Sequence, residues 1–259
     1  MNSNLEQKRN RLFVILSGIF ITNALLAEII GVKIFSGEAT LGLQPAQLNV
    51  LGFVMDFNLT AGAVIWPVVF ITTDLINEYF GKPGVKRISY LTALLILYAF
   101  VVIFMAIALP PAGWWAQLKD EDGNVFYMDL AFNRVLGQGL RIIIGSLSAF
   151  LIGQLVDVFV FQKLRSITGN RMLWLRATGS TLISQLIDSF VVLFIAFYGV
   201  FSNDQIIAIG ITNYIYKFCV AILLTPVVYA GHFLIDNYLG KENASQLSDD
   251  AAQQSRGFF

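Results

Sequence analysis

The sequence predicts an all-α, polytopic membrane protein, on three observations. Hydrophobic residues make up 56% of the 259 residues and charged residues only 13%, whereas soluble domains carry roughly 25% charged residues. The mean hydropathy is +0.69, and apolar runs long enough to cross a bilayer recur along the whole chain. Several of these runs contain a carboxylate, which at bilayer depth costs roughly 2.5–3.5 kcal/mol and therefore usually faces a bundle interior.

Six segments are apolar enough to form membrane spans of about 20 residues. The first is too long for the core of a signal peptide and no cleavage motif follows it, so we expect this helix to be retained. Pro67 suits the first turn of the second span, and Pro226 is expected to kink the sixth. The six segments are residues 11–33, 62–81, 88–110, 138–162, 174–199 and 206–236.

Basic residues predict how the bundle is oriented. Lys33, Lys119 and Arg134 would face one side of the membrane, whereas most of the 17 Lys and Arg residues would face the other. The positive-inside rule therefore predicts a multi-pass protein of the cell (inner) membrane with both termini in the cytoplasm. The basic residues expected on the cytoplasmic side are Lys8, Arg9, Arg11, Lys82, Lys86, Arg87, Lys163, Arg165, Arg171, Arg176, Lys241 and Arg256.

The spans are expected to form one transmembrane domain over residues 11–238, followed by a polar, unstructured cytoplasmic tail over residues 240–259. Residues 36–60 are expected to be re-entrant or to lie on the surface, and residues 111–136 to form an external loop. A division into spans one to three and four to six would give an inverted repeat, as in many secondary transporters. ITTDLINEYF and ISQLIDSFVV would then occupy equivalent positions in the two halves.

Polar side chains cluster on one face of the second span, in TTDLINEYFG. Asp74, Asn77 and Glu78 share this face because they are three and four residues apart. Two ionised carboxylates one turn apart repel each other, so either one of them binds a proton or a cation lies between them. Alternatively, Glu78 lies at the cytoplasmic interface and is solvated.

Spans four and five each contain the pattern Gln-x-x-Asp, as Gln154 with Asp157 and Gln185 with Asp188. An amide and a carboxylate at this spacing can converge on one ligand and offer it both donors and acceptors. Asp188 lies about 20 Å into its helix at 1.5 Å per residue, which is too deep for its side chain to reach the surface. Asp157 lies nearer the cytoplasmic end, so a structural ion pair or a solvated position is an open alternative.

Two cations lie inside predicted spans, and each has two interpretations. Buried ions must be paired, so Lys217, which follows Asn213 and Tyr214, either neutralises a carboxylate such as Asp188 or Asp74 or takes part in a ligand site. Arg141 either joins that site or extends to the outer surface. Gly145, Ala149 and Gly153 form a seam of small residues that would let another helix approach closely.

Several classes of site are not expected. Cys219 and His232 are the only residues of their kinds, so no intrachain disulfide and no metal centre built from His and Cys is predicted. The phosphate-binding pattern GxxxxGK[ST] does not occur, nor does the GxGD motif of intramembrane aspartyl proteases. We therefore predict no cofactor, no metal and no enzymatic activity, and the zero net charge gives no attraction to nucleic acid.

The segments TDLINEYFGK, GQLVDVFVFQKL, STLISQLIDSFVVLFIAF and NYIYKF resemble the queuosine precursor transporter family, also called the vitamin uptake transporter family. The resemblance covers roughly residues 11–238. Its most specific parts are TDxxxExxG in span two, R…GQxxD in span four, ST…QxxD in span five and YxxK in span six. It implies substrate-binding roles for Asn23, Asp74, Glu78, Arg141, Gln154, Asp157, Gln185, Asp188, Tyr214 and Lys217.

The implied substrates are 7-cyano-7-deazaguanine and 7-aminomethyl-7-deazaguanine. Their N1–H and 2-amino groups are adjacent donors that one carboxylate can accept, so Asp188 or Asp74 is expected at this edge, with Gln154 and Gln185 at the others and aromatic rings over the faces. Secondary transport, with protons carried by Asp74, Glu78 or Asp188, is the leading interpretation. The alternative is the substrate-binding subunit of an energy-coupling-factor importer, with separate ATPase and scaffold chains. A homodimer is left open.

Overall fold

The computed structural model describes residues 3–119, 125–137, 139–169 and 172–256. Arg171, expected on the cytoplasmic side, and residues 257–259 of the expected tail lie outside this range. The strands are β1 (Ile34–Ser36), β2 (Leu48–Val50), β3 (Phe53–Met55), β4 (Asn58–Thr60), β5 (Gln117–Lys119) and β6 (Val125–Tyr127). The helices are α1 (Ser3–Ile30), α2 (Gly37–Thr40), α3 (Trp66–Ile107), α4 (Gly113–Ala116), α5 (Met128–Leu136), α6 (Leu140–Thr168), α7 (Leu173–Phe197), α8 (Asn203–Leu239) and α9 (Lys241–Arg256).

Five of the described helices are long and apolar enough to cross a membrane, namely α1, α3, α6, α7 and α8. Large apolar side chains on their outer surfaces lie exposed, such as Val14 at 69%, Leu94 at 62% and Leu223 at 74%. Such a surface suits contact with lipid rather than water. The predicted all-α, polytopic membrane class is therefore confirmed.

Helix α3 consists of two arms that meet at Gly81. Its 42 residues would extend about 63 Å if straight, about twice the thickness of a bilayer's hydrocarbon core. At Gly81 the backbone leaves the helical region, with φ 65° and ψ −170°, a conformation that only glycine adopts without strain. Pro83 follows at once, in the first turn of the second arm, where its missing N–H does not matter. The arms, 66–80 and 82–107, coincide in sequence with the expected spans 62–81 and 88–110.

Helices α6 and α7 pack closely along the predicted seam of small residues. A Cβ atom at Gly145 would lie 3.2 Å from the carbonyl oxygen of Val192, and one at Gly153 would lie 3.5 Å from the Cβ of Asp188. A Cβ atom at Gly145 would be crowded by the backbone of α7, whereas one at Gly153 would make ordinary contact, so a large side chain at either position would push the helices apart. The seam therefore places the polar face of α6 directly against that of α7.

The segments that link the spans contain short strands. In residues 36–60, β1 pairs antiparallel with β4, and β2 with β3. Glu38 holds this segment together, because it accepts hydrogen bonds from the backbone N–H of Phe57 at 2.7 Å and of Ala46 at 3.4 Å. The N–H of Phe57 is the main reason that the pKa of Glu38 is lowered. In the expected external loop, β5 pairs with β6 and α5 follows.

The expectation of an unstructured tail is wrong for residues 241–256, which form α9. Ala244, Leu247, Ser248, Ala251 and Ser255 are buried in the fold, and they recur every three or four residues, the period of one helix face. The segment is polar overall, but this stripe of small and apolar residues is enough to seat it against the bundle. A helix therefore covers the end of the bundle where α3 breaks.

Candidate functional site

A cavity of about 690 Å³ lies between α1, α3, α6, α7 and α8. The first arm of α3 contributes Asp74 to its lining, and α6 contributes Gln154 and Asp157. Gln185 and Asp188 come from α7. Each Gln-x-x-Asp pattern faces the cavity as a unit because residues three apart share a helix face. The structure thus brings the carboxylates of the second, fourth and fifth predicted spans around one enclosed space.

Hydroxyl groups satisfy only part of the hydrogen-bonding capacity at the inner end of this cavity. Thr73 Oγ1 donates to Gln154 Oε1 at 3.3 Å, and Ser184 Oγ donates to Asp157 Oδ1 at 3.2 Å. Both contacts join different helices, α3 with α6 and α7 with α6. They fix the orientation of one side-chain oxygen in each pair, and the hydroxyls of Ser180 and Thr181 also lie near the Asp157 carboxylate.

Three buried acceptor atoms in the cavity have no hydrogen-bond partner within the described residues: Asp74 Oδ1, Asp157 Oδ2 and Gln185 Oε1. The exposed fraction of each side chain is low, 3% for Asp74 and 5% for the other two. A buried polar atom without a partner costs about 1–3 kcal/mol. All three residues contribute to the cavity lining, although the three atoms themselves are buried, so a molecule that presents N–H groups there would reach them by small side-chain rotations.

Lys217 pairs with Asp188, one of the two partners that the sequence suggested. Its Nζ lies 2.6 Å from Asp188 Oδ2, and both side chains keep about a fifth of their surface accessible, 22% and 23%. Both residues line the cavity. The pair therefore faces the cavity, and both side chains can contact a polar group of a bound ligand from their positions in the bundle.

Aromatic side chains form part of the cavity wall. Trp66 stacks on Phe70, with ring centroids 5.9 Å apart and planes 15° from parallel, and lies 5.8 Å from the ring of Phe150. Glu28 also lines the wall and accepts a hydrogen bond from Ser146 Oγ at 2.5 Å. Sequence reasoning did not place these residues in the site. The sequence signal for Glu28 was a carboxylate inside the first apolar run. Nothing in the sequence distinguishes Trp66 from the aromatic residues near the ends of other spans.

Four of the ten residues implied by the resemblance are not among the described residues that line the cavity: Asn23, Glu78, Arg141 and Tyr214. Asn23 donates to the carbonyl oxygen of Ile19 in its own helix at 2.8 Å. Arg141 donates to the carbonyl oxygen of Tyr198 at 2.9 Å, at the exposed end of α6, which agrees with the interpretation that it extends to the outer surface. Tyr214 packs edge-on against Phe218, with ring centroids 6.4 Å apart.

Glu78 also lies outside the cavity, in a buried charge cluster at the end where α9 packs. Glu78 Oε2 lies 3.0 Å from Arg176 Nη2, and Oε1 lies 3.4 Å from Arg165 Nη2. Ser248 of α9 donates to Oε1 at 2.7 Å. We call Glu78, Arg165, Arg176 and Ser248 the Glu78 cluster. Because Glu78 is buried, the alternative that it is solvated is wrong. Of the two alternatives given for the carboxylates of this face, a bound proton or a cation between them, the structure shows cations beside Glu78, namely Arg165 and Arg176.

The sequence comparison identifies the family. A family model described as "Putative vitamin uptake transporter" matches residues 60–231, more than half of the chain. The chain belongs to the vitamin uptake transporter family. The resemblance inferred from the four motifs is therefore confirmed, and this member of the family is a multi-pass membrane protein and a transporter. No solved structure matches it.

Relatives in three bacteria carry closely similar names. A Bacillus subtilis (strain 168) protein named "Probable queuosine precursor transporter" is 32% identical over 210 residues, which are 80% of this chain and 86% of that protein. The "Queuosine precursor transporter" of Escherichia coli (strain K12) is 29% identical over 208 residues, 78% of this chain and 84% of that protein. A Haemophilus influenzae protein with the Bacillus name is 30% identical over 193 residues, 71% of this chain and 73% of that protein.

Proposed function

We propose that this protein takes up 7-deazaguanine precursors of queuosine by secondary transport, and that the cavity between α1, α3, α6, α7 and α8 binds them. The observation that carries the proposal is the set of three partnerless acceptors on Asp74, Asp157 and Gln185. A 7-deazaguanine ring presents the N1–H and 2-amino donors along one edge and the N9–H donor on the next, so one flat molecule can satisfy several acceptors at once. The names of the relatives support the same class of substrate.

The shape and the other walls of the cavity suit a flat, polar ring. Its volume, about 690 Å³, lies within the range of about 300–1,000 Å³ typical of small-molecule sites. Trp66, Phe70 and Phe150 offer ring faces against which a planar base can stack. Lys217 can donate to the exocyclic oxygen of the base while it remains beside Asp188, and Gln154 can bind the ring nitrogens. Asp74 and Asp157 accept from the donor edge.

The proposal includes six crossings with both termini in the cytoplasm. The two arms of α3 each supply one crossing, since the helix is about twice as long as one crossing needs. With α1, α6, α7 and α8 this gives an even number of spans and places α9 in the cytoplasm, beside the basic residues that favour that side. In the inverted repeat that we propose for spans one to three and four to six, the segments that contain Asp74 and Asp188 are equivalent, with the two aspartates half a turn apart in register.

The test is uptake by the purified protein alone, reconstituted in liposomes, with radiolabelled 7-cyano- and 7-aminomethyl-7-deazaguanine. We expect accumulation of at least one base when an inward proton gradient is imposed, and its loss when an ionophore collapses the gradient. Asp74→Asn and Asp157→Asn should each reduce uptake more than tenfold, whereas Asp204→Asn, at an exposed position on α8, is the matched control.

Three results would overturn parts of this proposal. Folded protein that takes up neither base would exclude the deazaguanine substrates. Uptake that appears only with a co-expressed ATPase module would replace secondary transport by the importer alternative. Uptake that the ionophore leaves unchanged would remove the proton from the mechanism. The cavity is lined by a single chain, so the proposal needs no second copy.

A further inference from the structure

The substrate-binding cavity proposed above, which we call the central cavity, ends inside the bundle. A second cavity lies beyond that end. This second cavity, about 430 Å³, lies between α3, α6 and α9. Its lining includes Lys82, Gln162, Arg165, Asp249 and Ser255. No described residue lines both cavities. The lining of the central cavity includes Asp74, one helical turn from Glu78, and Ala177, next to Arg176 in sequence. The Glu78 cluster therefore occupies the space between the two cavities.

The layer between the cavities is buried and is closed by charged and aromatic contacts. Glu78, Arg165 and Arg176 expose 6%, 4% and 2% of their surfaces. The Arg176 guanidinium lies 5.7 Å from the centre of the Phe161 ring, and Phe161 itself is fully buried. Because α3 supplies Glu78, α6 supplies Arg165 and Phe161, and α7 supplies Arg176, three of the five helices that line the central cavity are joined at this level.

Helix α9 completes the layer from outside the bundle. Arg165 Nη2 donates to the carbonyl oxygen and the hydroxyl of Ser248, at 2.8 and 2.5 Å, and the same hydroxyl donates to Glu78. Ser248 therefore bridges α9 to both signs of charge in the cluster. If α9 left its position, Arg165 would lose two acceptors and Glu78 one donor in a site with little access to water.

Helix α9 also packs on the break in α3. Ser255 Oγ accepts a hydrogen bond from the backbone N–H of Lys82 at 3.0 Å, and a Cβ atom at Gly81 would lie 2.7 Å from the carbonyl oxygen of Ala251. The glycine is therefore required both for its positive φ and for the close approach of α9. The same helix thus holds the charge layer and the joint between the two arms of α3.

We propose that the Glu78 cluster is the cytoplasmic gate of the transport path, that α9 holds it closed, and that the second cavity is the exit vestibule. Displacement of α9 withdraws Ser248 from the cluster and frees the arms of α3 to move about Gly81. The ion pairs then separate, and the central cavity joins the vestibule. The inference rests on the proposed function in that a gate needs a path for a substrate and in that the proposed orientation places α9 on the cytoplasmic side.

The test measures access to the central cavity from each side of the membrane. Ala221 lines this cavity, so Ala221→Cys in a Cys219→Ser background places one thiol there. A membrane-impermeant maleimide is applied to vesicles of either orientation. With α9 intact we expect slow labelling from the cytoplasmic side. Ser248→Ala, and truncation after Gly240, should each raise that rate at least tenfold and leave labelling from the outer side unchanged.

Ser245→Ala is the matched control, since Ser245 lies on the exposed face of α9 and its loss should change neither rate. Ser248→Ala decides the matter if the truncated protein does not fold, as judged by elution as a single species. Unchanged cytoplasmic labelling in folded Ser248→Ala protein would overturn the gate. Because labelling needs no substrate, a faster rate in a protein that takes up no deazaguanine would refute the proposed substrate and leave the gate standing.

Discussion

Replacing Glu78 by glutamine removes the only carboxylate in the Glu78 cluster while keeping its shape. Arg176, at 3.0 Å, would then lose this counter-charge, and Arg165, at 3.4 Å, would lose one of its partners. Breaking a buried ion pair from one side costs about 3–5 kcal/mol. The amide oxygen still accepts from Ser248, so we expect the lower end, about 3 kcal/mol. At about 2–4 °C per kcal/mol for a chain of this size, the apparent Tm should fall by about 6–12 °C.

The assay is thermal unfolding of the purified protein in detergent, followed by loss of helical circular dichroism. Glu242→Gln is the matched control, because Glu242 lies exposed in the first turn of α9, and its Tm should stay within about 2 °C of the wild type. The double variant Glu78→Gln with Arg176→Gln should be less destabilised than the sum of its single variants, since the pair is removed together. A Tm for Glu78→Gln equal to that of the control would refute the reasoning.

Three other predictions follow from the cavity, the helix seam and the linking strands. Asp188→Asn should weaken deazaguanine binding more than tenfold in a direct binding assay. The folded yield should stay nearly unchanged, because the ion pair of Asp188 with Lys217 is partly accessible and such pairs add at most about 1 kcal/mol to stability. Retained affinity with a collapsed yield would mean that Asp188 has a structural role. Gly145→Leu should cost about 1–3 kcal/mol in thermal unfolding by forcing α6 from α7, and an unchanged Tm would refute that packing. The pKa of Glu38 is lowered in the folded protein, so the carboxylate stabilises the linking segment fully above the usual pKa of about 4.3 and loses this effect as the pH falls through the lower pKa of the folded state. Over that pH range, hydrogen exchange of the Phe57 amide should accelerate relative to the Glu38→Gln variant. Parallel pH profiles of the two proteins would contradict this.

The membrane class and the shared polar cavity could be predicted because few environments in a membrane protein accommodate a charged side chain inside an apolar run. Asp74, Asp157 and Asp188 each lie in such a run, and the bilayer leaves the bundle interior as the favourable environment. The pairing of Lys217 with one of two acids followed from the same argument. The choice of Asp188 depends on how α7 and α8 are placed, which the sequence does not contain.

The contacts at the end where α9 packs could not be predicted because they join distant parts of the chain. Arg165 and Arg176 were read as loop residues on the positive side of the membrane, and that rule carries no information on whether an arginine turns back into the bundle. The polar composition of residues 241–256 predicted disorder, while the stripe of Ala244, Ala251 and Ser255 is a weak signal that matters only once a partner surface exists. Tertiary packing decided both.

The central claim is that acceptors at the inner end of the cavity bind the N–H groups of a substrate. The most direct measurement compares the Kd of 7-cyano-7-deazaguanine with that of its analogue without the 2-amino group, on the wild type, Asp74→Asn and Asp157→Asn. We predict that the wild type binds the analogue at least tenfold more weakly, since a buried acceptor left unpaired costs about 1–3 kcal/mol, and that at least one variant loses most of this discrimination. Equal affinities on the wild type, or the same ratio on all three proteins, would contradict the claim.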